Sequence, residues 1–79
     1  MGDNMDNRFY DEHFMLGRNI AHARTSKGYT QELLAERIGR SREYISKIER
    51  AENSPSLTVL FEISNELGVF MKDLFTFKD

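Results

Sequence analysis

Apolar side chains in this chain recur at three- and four-residue intervals, the spacing that gathers them on one face of an α-helix. Leu16, Ile20 and Ala23 form the first stripe and predict a helix that opens between Asp11 and Gly17 and runs to Lys27. Gly28 follows, where a helix end favours left-handed backbone. Thr30 is placed as an N-cap, and Leu34, Ala35 and Ile38 form the inner face of a short second helix stopped by Gly39. Ser41 caps a third helix, with Ile45 and Ile48 three apart on one side. Asn53, Ser54 and Pro55 read as a loop, because proline disfavours helical backbone in the residue before it. Ser56 then caps a fourth helix with Leu57, Leu60, Phe61, Ser64 and Leu67 inward and Gly68 at its end, and Met71 to Phe75 adds a last turn. No alternating β-branched run marks a strand, so the predicted class is all-α. Residues 1–10 are read as a flexible polar tail and residues 11–79 as one domain.

Function points to residues 30–50. Only Gly39 and Arg40 separate the second helix from Ser41, too short a connection for a relaxed antiparallel hairpin. The two helices must cross steeply, as in a helix-turn-helix, and Ala35 is small where they approach. With Ile45 and Ile48 inward, Arg42, Glu43, Ser46, Lys47 and Arg50 point outward. An apolar inner stripe beneath a face of long hydrogen-bonding side chains is what reading the DNA major groove requires.

Residues 16–75 resemble the lambda-repressor-like (Cro/C1, or XRE-type) helix-turn-helix family. The marks are Arg24 ahead of Gly28-Tyr29-Thr30-Gln31, then Leu34-Ala35, Ile38-Gly39, Ser41, Ile45-Ser46 and Ile48-Glu49-Arg50. Pro55-Ser56-Leu57 and Leu67-Gly68-Val69 follow at the family's spacing. The resemblance implies a five-helix fold with the helix-turn-helix at helices 2 and 3 and a recognition helix over 41–51. It assigns base reading to Arg42, Glu43 and Lys47, and Ser46 is a further candidate on the same face. Arg42 suits a bidentate contact to guanine O6/N7, Lys47 a guanine or a phosphate, and Glu43 the cytosine N4 amine. Glu43 also has a plain structural role, since an acid in the first turn complements the helix dipole. Thr30 and Gln31, at the start of helix 2, are candidate phosphate contacts alongside capping by Thr30. Arg40, Arg50 and Asn53 are further candidates, with a solvated surface arginine as the alternative for Arg40. Arg24 and Glu49 match a pair that, in the family, forms a salt bridge from helix 1 to the recognition helix.

Three departures from the family pattern alter the expectations. Ala51 stands where glycine is usual, Glu52 where a basic residue is common, and Phe70 where a small polar N-cap is usual. Phe70 lies near Val69, Phe75 and Phe77, more apolar surface than a small monomer normally exposes. Val69, Phe70 and Phe75 are therefore the expected homodimer contact, the alternative being a Phe70 covered by Phe9 and Tyr10.

Composition sets the remaining bounds. Seventy-nine residues make one domain with a thin core, and the absence of cysteine removes disulfides and thiolate metal sites. Net charge is −2, yet residues 24–50 carry seven arginines and lysines against four glutamates, while both flanks are acidic. That distribution suits one face turned to phosphate. His13 and His22 are too isolated for a metal site, and no phosphate-binding loop or nucleophile–base pair is present. No cofactor and no catalysis are expected. No apolar run approaches a membrane span and no signal-peptide core is visible, so a cytoplasmic location with no membrane partner is expected. The expected function is that of a sequence-specific regulator binding double-stranded DNA as a homodimer on a two-fold operator, similar to phage repressors and restriction–modification controllers. The alternatives are an antitoxin or interaction module with a toxin or other protein partner, and a domain that keeps the fold but has lost DNA binding.

Overall fold

The computed structural model describes residues 7–76, so the expectations placed on residues 1–6 and on Phe77 lie outside the described residues. A 3-10 turn over Asn7–Phe9 leads into α1 (Tyr10–Ser26), followed by α2 (Gln31–Ile38), α3 (Arg42–Glu49), α4 (Leu57–Leu67) and α5 (Met71–Leu74). The first helix thus opens at Tyr10, upstream of the expected window. The recognition helix is shorter than expected, with Ser41 as its cap and Arg50 already leaving the helical backbone.

Local chemistry sets the boundaries. Thr30, Ser41 and Ser56 each turn a hydroxyl oxygen to the N–H three residues on, at 3.0, 3.0 and 3.1 Å. This satisfies an amide that the first helical turn leaves without a partner. At the other ends, α1 to α4 all close with the same paired backbone bonds. For α1 these run from Gly28 N to Thr25 O and from Tyr29 N to Arg24 O; for α3, from Ala51 N to Ile48 O and from Glu52 N to Lys47 O. The turning residue is glycine in three cases and Ala51, at φ 61°, in the fourth. Ala51 keeps the family's left-handed cap at the steric cost of a Cβ, and that Cβ is buried.

Leu16, Ile20, Leu34, Ala35, Ile45, Ile48, Val59, Leu60, Ile63, Leu67 and Leu74 form one core, with Ala23, Tyr29, Ile38 and Val69 packed on its margin. The inner face of α4 differs from expectation. Leu57 and Phe61 are 60% and 52% exposed, whereas Val59 and Ile63 are buried. Both stripes have helical spacing, so periodicity alone does not choose between them; contact with α2 and the rest of the core does.

Two contacts that the sequence pattern does not announce hold α1 in place. A Cβ at Gly17 would lie 2.6 Å from the Glu49 carbonyl oxygen and 2.7 Å from that of Ile48. The α1 backbone therefore rests directly against the last turn of α3. The Asn19 amide donates to the carbonyls of Leu74 at 2.9 Å and Thr76 at 3.0 Å, tying the end of the domain to α1.

Candidate nucleic-acid interface

The orientation of α3 is set by a partly buried polar cluster. Arg24 donates from Nε to Glu49 Oε2 at 2.7 Å and from Nη2 to Oε1 at 3.1 Å, with side-chain exposures of 12% and 6%. Its remaining nitrogen, Nη1, donates to the Tyr29 carbonyl at 2.8 Å. Gln31 adds a bond from Nε2 to Glu49 Oε1 at 2.9 Å. The Glu49 carboxylate thus joins α1, α2 and α3: the Arg24 fork ties α3 to α1 and the Gln31 bond ties it to α2. Gln31, placed by the sequence among the phosphate contacts, commits one of its two amide N–H groups to this cluster.

Outside the cluster, Arg42 stands at the start of α3 and lines a shallow groove with Arg24, Thr30, Gln31 and Glu32. The groove brings the capped start of α2 beside Arg42, the first residue of α3. Arg42 is exposed and has no ion pair with any described residue. Lys47 on α3 and Arg50 just past its end are each matched. Lys47 Nζ lies 3.9 Å from Glu43 Oε2, one helical turn away, and Arg50 Nη1 lies 2.8 Å from Glu52 Oε2. Arg50 Nε also donates to Ser46 Oγ at 3.1 Å, so Ser46, a candidate base reader, is engaged on its acceptor side. Arg40 turns toward α4, with Nη2 3.6 Å from Glu62 Oε1 and its guanidinium over the Tyr44 ring. Asn53 is half-buried beyond the end of α3, its N–H bonded to the Lys47 carbonyl at 3.3 Å.

Phe70 is 74% exposed, which removes the reading of it as a covered core residue. Phe9 and Tyr10 are themselves about half exposed. Phe70 lines an open groove with Phe61, Asn65, Val69 and Met71. Phe61 joins this surface unforeseen, because the sequence pattern assigns it to the core. Phe75, about half exposed, lies over a separate apolar groove with Glu12, His13 and Leu16.

A helix-turn-helix family model matches residues 20–71, which takes in both helices of the motif, the Arg24–Glu49 pair and all of α4. The chain belongs to the Cro/C1-type helix-turn-helix family. Among relatives of this helix-turn-helix protein, an uncharacterized HTH-type transcriptional regulator of Sinorhizobium fredii is 39% identical over 62 residues, 78% of this chain and 80% of that one. A regulator of Bacillus subtilis derived from the SPbeta prophage is 40% identical over 55 residues, covering 70% of this chain but 51% of the relative. Among solved structures, the restriction–modification controller protein of Aeromonas hydrophila superposes with a TM-score of 0.80 at 30% identity, over 84% of this chain and all of the controller. The five-helix lambda-repressor-like architecture expected from the sequence is thus the one this helix-turn-helix protein has. Among the described residues, no helix is long and apolar enough to cross a membrane, and no group of acids and histidines could hold a metal ion.

Proposed function

We propose that this chain is a sequence-specific transcriptional regulator that places α3 in the major groove of DNA and acts as a homodimer on a two-fold operator. The observation that carries this reading is the groove beside Arg42. A guanidinium at the start of α3, with no ion pair among the described residues, adjoins the N-terminus of α2, on a helix tied to α1 and α2 by the Glu49 cluster. Arg42 reads guanine, with Glu43 and Lys47 able to exchange their mutual contact for base edges, while the α2 amides near Thr30 and Gln31 face a phosphate. Arg40, Arg50 and Asn53 supply further backbone contacts where their present partners release them.

The dimer reading rests on the exposed aromatic surface. Phe61, Val69 and Phe70 line one open groove together with Ser64 and Asn65, and a second copy is its proposed occupant. With a two-fold dimer, half-sites lie about 10 bp apart. The similarity to a restriction–modification controller suits this reading, and it suits equally the rival in which that surface holds a toxin or another protein.

Selection from a random-sequence DNA pool, followed by affinity measurements at two salt concentrations, tests the proposal. A symmetric enriched site with salt-sensitive binding is the expected result. Arg42→Ala should then cost about 1–3 kcal/mol at one base position and relax the preference there. Binding without enrichment, or Arg42→Ala without positional effect, refutes base reading by this helix.

A further inference from the structure

The outer end of α3 carries an ion pair where a phosphate contact is expected. Arg50 is the cation best placed to reach the DNA backbone there, being exposed and just past the last helical residue. Its guanidinium is already ligated on two edges, with Nε on Ser46 Oγ at 3.1 Å and Nη1 on Glu52 Oε2 at 2.8 Å. Glu52 owes its position to the backbone. The left-handed turn at Ala51 and the 2.7 Å bond from Glu52 N to Lys47 O bring its carboxylate alongside Arg50. A carboxylate oxygen at 2.8 Å from a guanidinium nitrogen is the kind of anionic acceptor that a phosphate oxygen also supplies.

We infer that Glu52 is an internal competitor for DNA phosphate. It occupies the Arg50 binding site and thereby lowers the affinity of this chain for DNA of any sequence, leaving base reading through Arg42 unchanged. The inference rests on the DNA-binding reading above and adds the residue that sets the strength of its backbone term. The pair has a specific consequence. Binding a phosphate at Arg50 requires expelling Glu52, so this chain releases fewer counterions on binding than its outward cations suggest. The carboxylate also remains close to the DNA and repels it. Both effects act on the salt-dependent, sequence-independent part of binding, which supplies essentially all non-specific affinity.

The test compares Glu52→Gln with the unaltered chain on a random-sequence duplex and on the best selected duplex, across a salt series. Releasing one phosphate contact per protomer should steepen the slope of log K against log salt by about 0.9 per protomer engaged. At 0.1 M salt this corresponds to roughly eightfold tighter binding per protomer if the contact contributes nothing at 1 M. The gain should be the same on both duplexes, and the selected sequence should not change. In an Arg50→Gln background the gain should fall to that of Glu12→Gln, the removal of an equal charge from an exposed position on α1. A gain no larger than that of Glu12→Gln in the otherwise unaltered chain overturns the inference, as does a gain that survives Arg50→Gln. If the unaltered chain binds DNA and Glu52→Gln matches it, only the competitor role fails. If neither binds DNA at low salt, the functional reading fails with it.

Discussion

Gly17→Ala separates two opposed effects whose sizes can be set from the structure. Gly17 lies in the middle of α1, where alanine is intrinsically the better helix former by about 1 kcal/mol. At an open position the substitution would stabilise the protein by that amount. Here the new Cβ would meet the carbonyl oxygens of Glu49 and Ile48 at 2.6 and 2.7 Å, roughly 0.7–0.8 Å inside ordinary contact at 3.4 Å. Both obstacles are backbone, so no rotamer change relieves them, and α1 must move away from α3. Overpacking of a close contact costs typically 1–3 kcal/mol, and rigid backbone obstacles put this case at the upper end. Against the propensity gain, the net expectation is a loss of about 2 kcal/mol. In a domain of this size that lowers Tm by roughly 8–16 °C. The displaced carbonyls belong to the last turn of the recognition helix, and that of Ile48 accepts the N–H of Ala51. The folded variant should therefore also bind its selected DNA site less tightly than the stability loss alone would dictate. Thermal and urea denaturation decide the matter, with DNA titration at a temperature where the variant is fully folded. A variant about 1 kcal/mol more stable than the parent would refute the close approach of α1 to α3.

The Glu49 cluster predicts a larger effect. Glu49→Ala leaves Arg24 and the Gln31 amide facing each other without their shared acceptor, and should cost about 3–5 kcal/mol in urea denaturation, as expected when one member of a buried pair is removed. Phe70→Ala should alter monomer stability by less than about 0.5 kcal/mol, because the ring is largely exposed and neither side chain caps α5. It should nonetheless shift sedimentation toward monomer, and an unchanged oligomeric state would remove Phe70 from the proposed interface. Tyr29 donates its hydroxyl to Glu66 Oε2 at 2.6 Å, and this bond, with burial and the Glu66 charge adding to it and Arg37 opposing, raises the phenol above its ordinary value of 10.0. The folded state then holds the proton more tightly than the unfolded state. Its contribution to stability is complete below pH 10 and is lost as pH rises through the folded value. Comparing urea denaturation of the parent and Tyr29→Phe from pH 8 upward should show their difference shrinking only in the alkaline range. A difference independent of pH would exclude the Tyr29–Glu66 bond.

The sequence by itself determined what depends on interactions reaching no further than about one helical turn. Thr30, Ser41 and Ser56 cap helices because a hydroxyl reaches the N–H three residues on, and Gly28, Gly39 and Gly68 end them because they take positive φ without a Cβ clash. The three-residue connection after Ile38 (Gly39, Arg40 and the cap Ser41) makes the helices cross, and the side of α3 opposite Ile45 and Ile48 is thereby the outward one. Arg24 and Glu49 were legible through the family resemblance, since 25 residues of separation leave no local trace of their bond.

Tertiary structure decided what depends on which surfaces meet. Two stripes of α4 have equal periodicity, and only packing buries Val59 and Ile63 while leaving Leu57 and Phe61 outside. Gly17 reads as an ordinary weak point in a helix until the α3 carbonyls arrive beside it. Asn19 and Tyr29 look like unexceptional polar residues, yet each bonds a group more than 35 positions away. The cations of the recognition helix are equal by sequence, but the folded chain pairs Arg50 with Glu52 and Lys47 with Glu43 and leaves Arg42 to the groove. Charge in a sequence is a count, whereas the field a partner meets depends on which opposite charges the fold has already brought within reach.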